Sequence, residues 1–269
     1  MIDRAKPVFG SLFAGIGGFD LGLERAGWRC KWQVEIDEYA TQVLKTHWPH
    51  VPRYCDVRAF PAKCQSPWLR HRWGAQFCVD LVCAGFPCQD VSTAAGAGIG
   101  SAFGKRTGLW TEILRVACEL GRPLVLLENV PAIVNRGWDR IVGAFSASGY
   151  SLAWEPLSAV DFSLPIPRTR LFAVAVPDSV GWLPNEVFDR LADSRAAQET
   201  RKVQRDGILG RGGRQRVRRP PPPGVRRVVD GLPTKVDRER VRCIGNAVCP
   251  VIAEAIGRAL LEAWRTIDQ

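Results

Sequence analysis

The chain has 269 residues, of which 46% are hydrophobic, and a formal net charge of +10. This is enough for one large domain with a smaller lobe, and no apolar run approaches the ~20 residues of a membrane helix. The N-terminal apolar patch is broken by glycines, which argues against a signal peptide, and the nine cysteines include no C-x-x-C pair, so we expect reduced thiols in a cytoplasmic protein.

The first 176 residues alternate between apolar, strand-like runs and helix-like stretches. The predicted strands are Val8–Phe13, Lys31–Ile36, Val79–Ala84, Leu124–Leu127 and Leu171–Val176. The predicted helices are Gly18–Ala26, Tyr39–His47, Leu109–Leu120 and Trp138–Ser148. This pattern predicts an α/β fold, a mostly parallel Rossmann-like sheet with helices on both faces. In such sheets ligands bind beyond the carboxyl ends of the strands.

A glycine-rich turn, "FAGIGGFDLGLERAG", follows the first predicted strand. Gly15, Gly17 and Gly18 let the backbone turn tightly and approach a ligand. Asp20 stands where the dinucleotide fingerprint needs its third glycine, whereas Glu35 follows Gly15 by twenty residues, the usual distance for an acid that binds ribose hydroxyls. Together these features indicate an adenosine-type cofactor without a pyrophosphate, such as S-adenosylmethionine; a plain tight turn with a solvated Glu35 is the alternative.

The segment "AGFPCQDVS" places Cys88 directly after a predicted buried strand. A strand-to-loop turn exposes the sulfur, and a cysteine nucleophile works as the thiolate. Zinc is the competing explanation, because Cys78, Cys83 and His71 are near in sequence. A five-residue spacing along a strand sends Cys78 and Cys83 to opposite faces, so we expect no metal site.

Two later segments add polar groups at the same predicted edge of the sheet. Glu128 ends the strand of "PLVLLENV", where an apolar wall raises a carboxyl pKa and allows acid chemistry. Arg168 and Arg170 alternate in "IPRTRLFAVA" and point to one face, where they can hold a base oxygen or a phosphate. The structural alternatives are a helix-cap neighbour for Glu128 and an ion pair for Arg170.

The basic charge is concentrated in one stretch. Residues 195–227 hold eleven basic and two acidic side chains, with "GILGRGG" and "RPPPPG" and few large apolar residues. This composition indicates a loop-rich basic lobe and a polyanionic partner, although ordinary solubility charge also explains an excess. Apolar residues at helical spacing then predict a C-terminal helix over Ala247–Trp264.

Six segments occur in the order found in DNA (cytosine-5) methyltransferases, and the chain resembles this family. They are "FAGIGGFDLGLERAGW", "VEID", "GFPCQDVS", "LENV", "PRTRLFAVA" and "CIGNAVCPVIAEAIGRAL". The resemblance covers Val8–Val176 and about Arg226–Trp264. It implies a methyltransferase fold with a small target-recognition lobe, divided as 1–177 (catalytic and cofactor-binding), 178–227 (recognition) and 228–269 (C-terminal segment). Ile166 departs from the family's glutamine, and the short recognition region implies a short or relaxed target sequence.

The resemblance also implies the catalytic roles. Cys88 attacks C6 of a flipped-out cytosine, and Glu128 engages N3 and the amino group. Arg168 contacts the cytosine O2, and Arg170 supports the loop. The methyl group passes from S-adenosylmethionine to C5 while the base is held outside the duplex.

Two sets of binding residues follow from the same resemblance. In the cofactor set Phe13 stacks on adenine, Glu35 holds the ribose and Asp56 binds the adenine amino group. The full cofactor set is Phe13, Ala14, Gly15, Gly17, Gly18, Glu35, Ile36, Asp56, Val57, Pro87, Leu109, Asn246 and Ala247. The DNA-binding set is Gln89, Ser92, Lys105, Arg106, Arg214, Arg216 and Arg218.

The sequence therefore predicts a DNA cytosine-5 methyltransferase that acts on double-stranded DNA as a monomer. Its expected setting is restriction-modification, with a cognate restriction endonuclease as a separate partner, or protection of phage DNA. An RNA (tRNA) cytosine-5 methyltransferase on the same scaffold and an inactive DNA-binding homologue are the alternatives.

Overall fold

A computed structural model describes residues 6–60, 77–87, 107–194 and 234–265 of the chain. Its strands are β1 (Val8–Leu12), β2 (Arg29–Val34), β3 (Arg53–Tyr54), β4 (Leu81–Gly85), β5 (Leu124–Asn129), β6 (Tyr150–Ser158) and β7 (Thr169–Pro177). Within the described residues they form one sheet in the order β3-β2-β1-β4-β5-β7-β6. Only β7 is antiparallel to its neighbours, so the carboxyl ends of the other strands share one edge.

Helices cover both faces of this sheet. They are α1 (Gly18–Ala26), α2 (Glu38–His47), α3 (Trp110–Glu119), α4 (Trp138–Ala147), α5 (185–194), α6 (Thr234–Asn246) and α7 (Pro250–Arg265). In β5, Val125 and Leu127 face the core with α3 and α4, whereas Leu124 and Leu126 face the core with α1, α5 and α7. Strands with apolar residues on both faces are the pattern of a covered parallel sheet, which confirms the predicted fold class.

The C-terminal helix packs against α1 with almost no space between the backbones. A Cβ atom added at Gly18 would lie 2.3 Å from the Val248 carbonyl oxygen, and one added at Gly22 would lie 2.4 Å from that of Pro250. Both glycines are therefore required by close approach rather than by backbone angle. This contact places the start of α7 against the helix that follows the glycine turn after β1.

Two strands, β3 and β6, and two helices, α5 and α6, were not predicted. β3 has only two residues, too few for a periodic signal, and β6 carries Glu155 and Pro156 at an exposed edge, where strand patterning is weak. Helix α5 lies inside the predicted recognition region, yet Val187 and Phe188 belong to the core shared with α1 and α7. The domain division stays a prediction, and this packing favours a boundary beyond residue 194.

One described segment, Arg242–Arg265, is long and apolar enough to cross a membrane by length and composition alone. The sequence patterns did not indicate a run of this length. Ile252, Ile256 and Leu260 of this segment are buried against α1 and the sheet. These buried contacts are typical of a core helix, and a core helix can be as long and as apolar as a membrane-spanning one.

Candidate active site

A cleft of about 530 Å³ opens at the edge where the parallel strands end. Nine residues predicted from the sequence line it: Phe13, Gly15, Glu35, Ile36, Pro87, Glu128, Arg170, Asn246 and Ala247. Its wall also includes nine that were not predicted: Ile16, Asp37, Ala40, Gly85, Phe86, Asn129, Val130, Arg242 and Cys243. Most residues of the second group lie next to residues of the first group in the sequence. Their position beside a predicted strand end could therefore have identified them as lining residues.

The glycine turn and the acid after β2 meet on one side of the cleft. The Gly15 amide donates to Glu35 Oε2 at 2.6 Å, and the Asp37 amide donates to Glu35 Oε1 at 2.8 Å. Burial raises the pKa of Glu35, and these two backbone hydrogen bonds oppose the rise. Both carboxylate oxygens are thus held in place, while their remaining lone pairs can accept hydrogen bonds from the hydroxyl groups of a ligand.

Two apolar side chains stand at this end of the cleft. Phe13 has a φ of 53°, an uncommon conformation for a residue other than glycine, and it follows β1 directly. Such backbone outliers cluster at binding sites. Ile36 is 61% exposed although it is a large apolar residue in a cleft wall. Exposed apolar surface in a concave site is typical of a place that a ligand covers.

The acid at the end of β5 is held very differently. Glu128 is 6% exposed and is paired with Gly85 of β4 and Phe172 of β7. Arg170 Nε lies 3.2 Å from Glu128 Oε1, but the alignment is too poor for a hydrogen bond, and this buried oxygen has no hydrogen-bond partner. Burial raises the pKa of Glu128 to about 7, and the charges of Arg170 and Arg168 oppose that rise.

The two predicted arginines have separate environments. Arg170, within β7, lines the cleft beside Glu128. Arg168 precedes the strand and does not line the cleft; its guanidinium donates to the carbonyl oxygens of Ile244 at 3.3 Å and Ala247 at 2.5 Å. Of the two arginines, Arg170 therefore faces the cleft, whereas Arg168 anchors the α6–α7 turn; the role toward cytosine O2 that was assigned above to Arg168 stays a prediction.

Asn129, which sequence reasoning did not single out, ties two strand ends together. Its side-chain amide donates to the Phe86 carbonyl at 3.2 Å, and its side-chain oxygen accepts from the Val130 amide at 2.8 Å. The β4 end that leads to Pro87 is thereby fixed to the β5 end that carries Glu128. Asn129 directly follows Glu128 in "LENV", so its position at the same strand end could have identified it from the sequence.

Several predicted cofactor residues are not among the residues that line the cleft. Asp56 accepts hydrogen bonds from the amide and guanidinium of Arg58, and Val57 is buried in the core. The others are Ala14, Gly17, Gly18 and Leu109. Ala14 is buried and its amide donates to the Val34 carbonyl, so it supports the turn from behind. Their roles toward a cofactor stay predictions.

The predicted nucleophile and the DNA-binding set lie outside the described residues. These are Cys88, Gln89, Ser92, Lys105, Arg106, Arg214, Arg216 and Arg218. Pro87, the residue before Cys88, is described and lines the cleft. Among the described residues no group of three His, Cys, Asp or Glu side chains is arranged to hold a metal ion.

A family model described as C-5 cytosine-specific DNA methylase matches residues 8–209. The chain is 31% identical over 192 residues to the type II methyltransferase M.HgiCII of Herpetosiphon aurantiacus, covering 69% of this chain and 40% of that protein. It is 34% identical over 177 residues to the type II methyltransferase M2.BsuMI of Bacillus subtilis (strain 168), covering 61% and 41%. The chain thus spans about two fifths of the length of these relatives.

Solved structures give the same fold. A prophage-encoded protein of E. coli, described as a DNA modification methyltransferase, superposes with a TM-score of 0.52 at 27% identity, covering 65% of this chain and 47% of that one. The Dnmt2 methyltransferase of S. pombe superposes with a TM-score of 0.52 at 20% identity, covering 69% and 54%. At that identity the second likeness concerns the fold alone.

Proposed function

The chain belongs to the C-5 cytosine-specific DNA methylase family, and on that premise we propose that it methylates C5 of a flipped-out cytosine in double-stranded DNA with S-adenosylmethionine as donor. The observation that carries the proposal is Glu128. A carboxyl group with a pKa near 7 and a buried, unpartnered oxygen lies in the same cleft as Glu35 and the glycine turn. A site that combines a protonated carboxyl group with a pocket for a methyl donor is suited to protonate or hydrogen-bond a base while the base is methylated.

The residues on the donor side fit S-adenosylmethionine. Glu35 offers carboxylate lone pairs to a ribose diol, and Phe13 and Ile36 offer apolar surface to adenine. Asp20, in the first turn of α1, stands where the dinucleotide fingerprint needs its third glycine, and its buried carboxylate accepts hydrogen bonds from Ser11 and Gln33. This favours a donor without a pyrophosphate. When bound, S-adenosylmethionine supplies an electrophilic methyl group.

The chemistry assigned to the chain's own residues is a covalent addition and its reversal. The Cys88 thiolate forms a bond to C6 of the cytosine, while protonated Glu128 donates a hydrogen bond to N3 and Arg168 donates to O2. The addition makes C5 nucleophilic, so that C5 accepts the methyl group. Loss of the C5 proton and cleavage of the bond between sulfur and C6 then release the methylated base and restore the thiolate.

Base flipping is part of the proposal, because a paired cytosine hides C6 from a thiol. We assign the setting to restriction-modification or phage DNA protection, with a restriction endonuclease as a separate partner. The type II relatives support restriction-modification, and the prophage-encoded neighbour supports the phage alternative. The DNA substrate places the proposed site of action in the cytoplasm.

Trapping on DNA that contains 5-fluorocytosine tests the covalent step. Fluorine cannot leave C5 as a cation, so the wild type should accumulate a protein–DNA adduct in the presence of S-adenosylmethionine. Cys88→Ser should form none, and Cys118→Ser, which changes an exposed free cysteine, should trap like the wild type. An adduct with Cys88→Ser would contradict the assigned nucleophile.

Transfer of a tritiated methyl group separates the remaining functions. Label in duplex DNA supports the proposal, whereas label in tRNA and none in DNA identifies an RNA cytosine-5 methyltransferase. No transfer to either, together with retained DNA binding, identifies an inactive homologue. Bisulfite sequencing of a methylated plasmid then tests the predicted short or relaxed target, which a long and strict site would contradict.

A further inference from the structure

An ion pair joins two segments 205 positions apart across the cleft. Arg242 of α6 donates through Nη2 to Asp37 Oδ2 at 2.6 Å, and both residues line the cleft. Asp37 belongs to the turn between β2 and α2 that also carries Glu35. The pair therefore bridges the wall that holds the proposed donor-binding acid and the helix that leads to Asn246.

A second carboxylate, that of Glu239, orients the Arg242 guanidinium toward Asp37. Glu239, one turn earlier on the same helix, accepts from Arg242 Nε at 2.9 Å and also from Nη2. An arginine fixed in this way loses less side-chain freedom when it binds a second carboxylate. The bridge to Asp37 is thus better prepared than a chance contact between two solvated side chains.

Asp37 is connected by hydrogen bonds to Glu35 and, through Glu35, to the glycine turn. Its Oδ1 accepts from the Ala40 amide at 2.9 Å and caps α2, while its own amide donates to Glu35 Oε1. Glu35 Oε2 in turn accepts from the Gly15 amide. A continuous run of hydrogen bonds therefore connects α6 to the residues that form the donor side of the cleft.

The last turn of α6, which carries Arg242, is also held through its backbone. Arg168 donates to the carbonyl oxygens of Ile244 and Ala247, at the turn between α6 and α7. Because Arg168 holds the backbone of this turn and the pair of Arg242 with Asp37 is partly exposed, the ion pair is the contact that can open without movement of the helix.

We propose that Arg242 and Asp37 form a clasp across the methyl-donor cleft, with Arg242 as a positioning residue that acts through Asp37 on Glu35. The clasp stays closed over bound donor and opens when S-adenosylhomocysteine is exchanged for S-adenosylmethionine. This inference rests on the proposed function for the identity of the donor.

The test is the dissociation of radiolabelled S-adenosylmethionine from the full chain, chased with excess S-adenosylhomocysteine. Because the pair is partly exposed, Arg242→Gln should speed dissociation by about threefold to tenfold, with less effect on kcat than on KM. Asp37→Ser removes the ion pair but keeps a helix-capping hydroxyl, and should have the same effect. The double variant should be no faster than either single one.

Arg258→Gln is the matched control, because it breaks an exposed arginine–glutamate pair on α7, away from the cleft. Its dissociation rate should equal that of the wild type. The melting temperatures of all variants are compared with that of this control. Arg242→Lys keeps the positive charge but loses the guanidinium that contacts both Glu239 and Asp37, and it replaces any variant that fails to fold. Its rate should lie between those of the wild type and Arg242→Gln.

The outcomes separate the clasp from the proposed function. If the wild type binds the donor and the variants release it at the wild-type rate, the clasp is overturned and the donor assignment stands. Additive effects in the double variant overturn the clasp as well. If the wild type binds no S-adenosylmethionine, both the donor assignment and the clasp fail.

Discussion

Glu35 and Glu128, two of the acids that line the cleft, occupy equivalent places at the ends of parallel strands and differ in how they are held. Burial raises the pKa of each. Glu35 accepts a backbone hydrogen bond on both oxygens, whereas Glu128 Oε1 accepts none and has only a poorly aligned arginine beside it. In the proposed function, the acid assigned to the donor is already held by the protein, whereas the acid assigned to the base has an oxygen that a substrate can engage.

Burial of the charge has an energetic cost for both acids, and the cost is larger for Glu128, whose pKa is raised to about 7. A buried carboxyl oxygen without a hydrogen bond destabilises the folded state, and such groups persist at sites where function needs them. The two acids should therefore respond in opposite ways to removal of their charge. Glu128 should matter for the rate of methyl transfer and weaken the fold, whereas Glu35 should matter for binding of the donor.

The largest expected effect is on the rate of methyl transfer by Glu128→Gln. An amide cannot deliver the proton that the carboxyl group holds near neutral pH, so kcat should fall by about a hundredfold to ten-thousandfold. The dissociation constant of S-adenosylmethionine should change little. Tritium transfer gives kcat and calorimetry gives the affinity, with the exposed Glu155→Gln as control. An equal loss in donor affinity would erase the distinction between the two acids.

The same substitution should stabilise the fold above neutral pH. The pKa of Glu128 is raised from 4.5 to about 7 in the folded protein, so its stabilising contribution is complete below the lower value and is lost as pH rises through the upper one. At about pH 8 Glu128→Gln should be more stable than the wild type, by on the order of 2 to 3 kcal/mol, and the gain should shrink toward about pH 5.

Urea unfolding at both pH values measures this gain. A midpoint difference that does not depend on pH would show that Glu128 is not the group that titrates. A loss of stability at the higher pH would mean that the carboxylate is satisfied after all, and the contrast with Glu35 would fail.

A smaller effect is expected for Glu35→Gln, and it should appear in donor binding. One end of the amide must place its NH₂ group against the Gly15 or Asp37 amide, so one hydrogen bond becomes a clash between two donors. The affinity for S-adenosylmethionine should fall by about tenfold to hundredfold. Glu38→Gln, an exposed neighbour in α2, is the control. A loss of kcat at saturating donor would make Glu35 resemble Glu128.

The smallest effect is expected for Ile36→Ala, which trims the exposed apolar wall of the donor side. Loss of the surface that the adenine covers should weaken donor binding by about threefold to tenfold without changing folding stability. Leu183→Ala removes an equally exposed apolar residue elsewhere and should leave the affinity unchanged. Calorimetry of both variants decides the outcome, and equal affinities would remove Ile36 from the pocket wall.

Local patterns were enough to predict much of this arrangement. Alternating apolar runs and glycine turns predicted the parallel sheet, and the rule that ligands bind beyond strand ends placed Gly15 and Glu35 together with Glu128 and Pro87 in one cleft. Side-chain contacts between the described segments were harder to predict. Arg168 and Arg170 share one face by alternation, and only the start of β7 at Thr169 decides which of them reaches the cleft.

The sequence by itself determined where five of the strands lie, to within two residues at their ends, and which turns need glycine, because both follow from the two-residue strand period and from backbone sterics over a few neighbouring positions. The tertiary structure alone decided the unsatisfied oxygen of Glu128, the backbone contacts of Arg168 and the pairing of Arg242 with Asp37. Each depends on strand register and helix docking between segments far apart in the chain, and no local spacing records which distant groups meet.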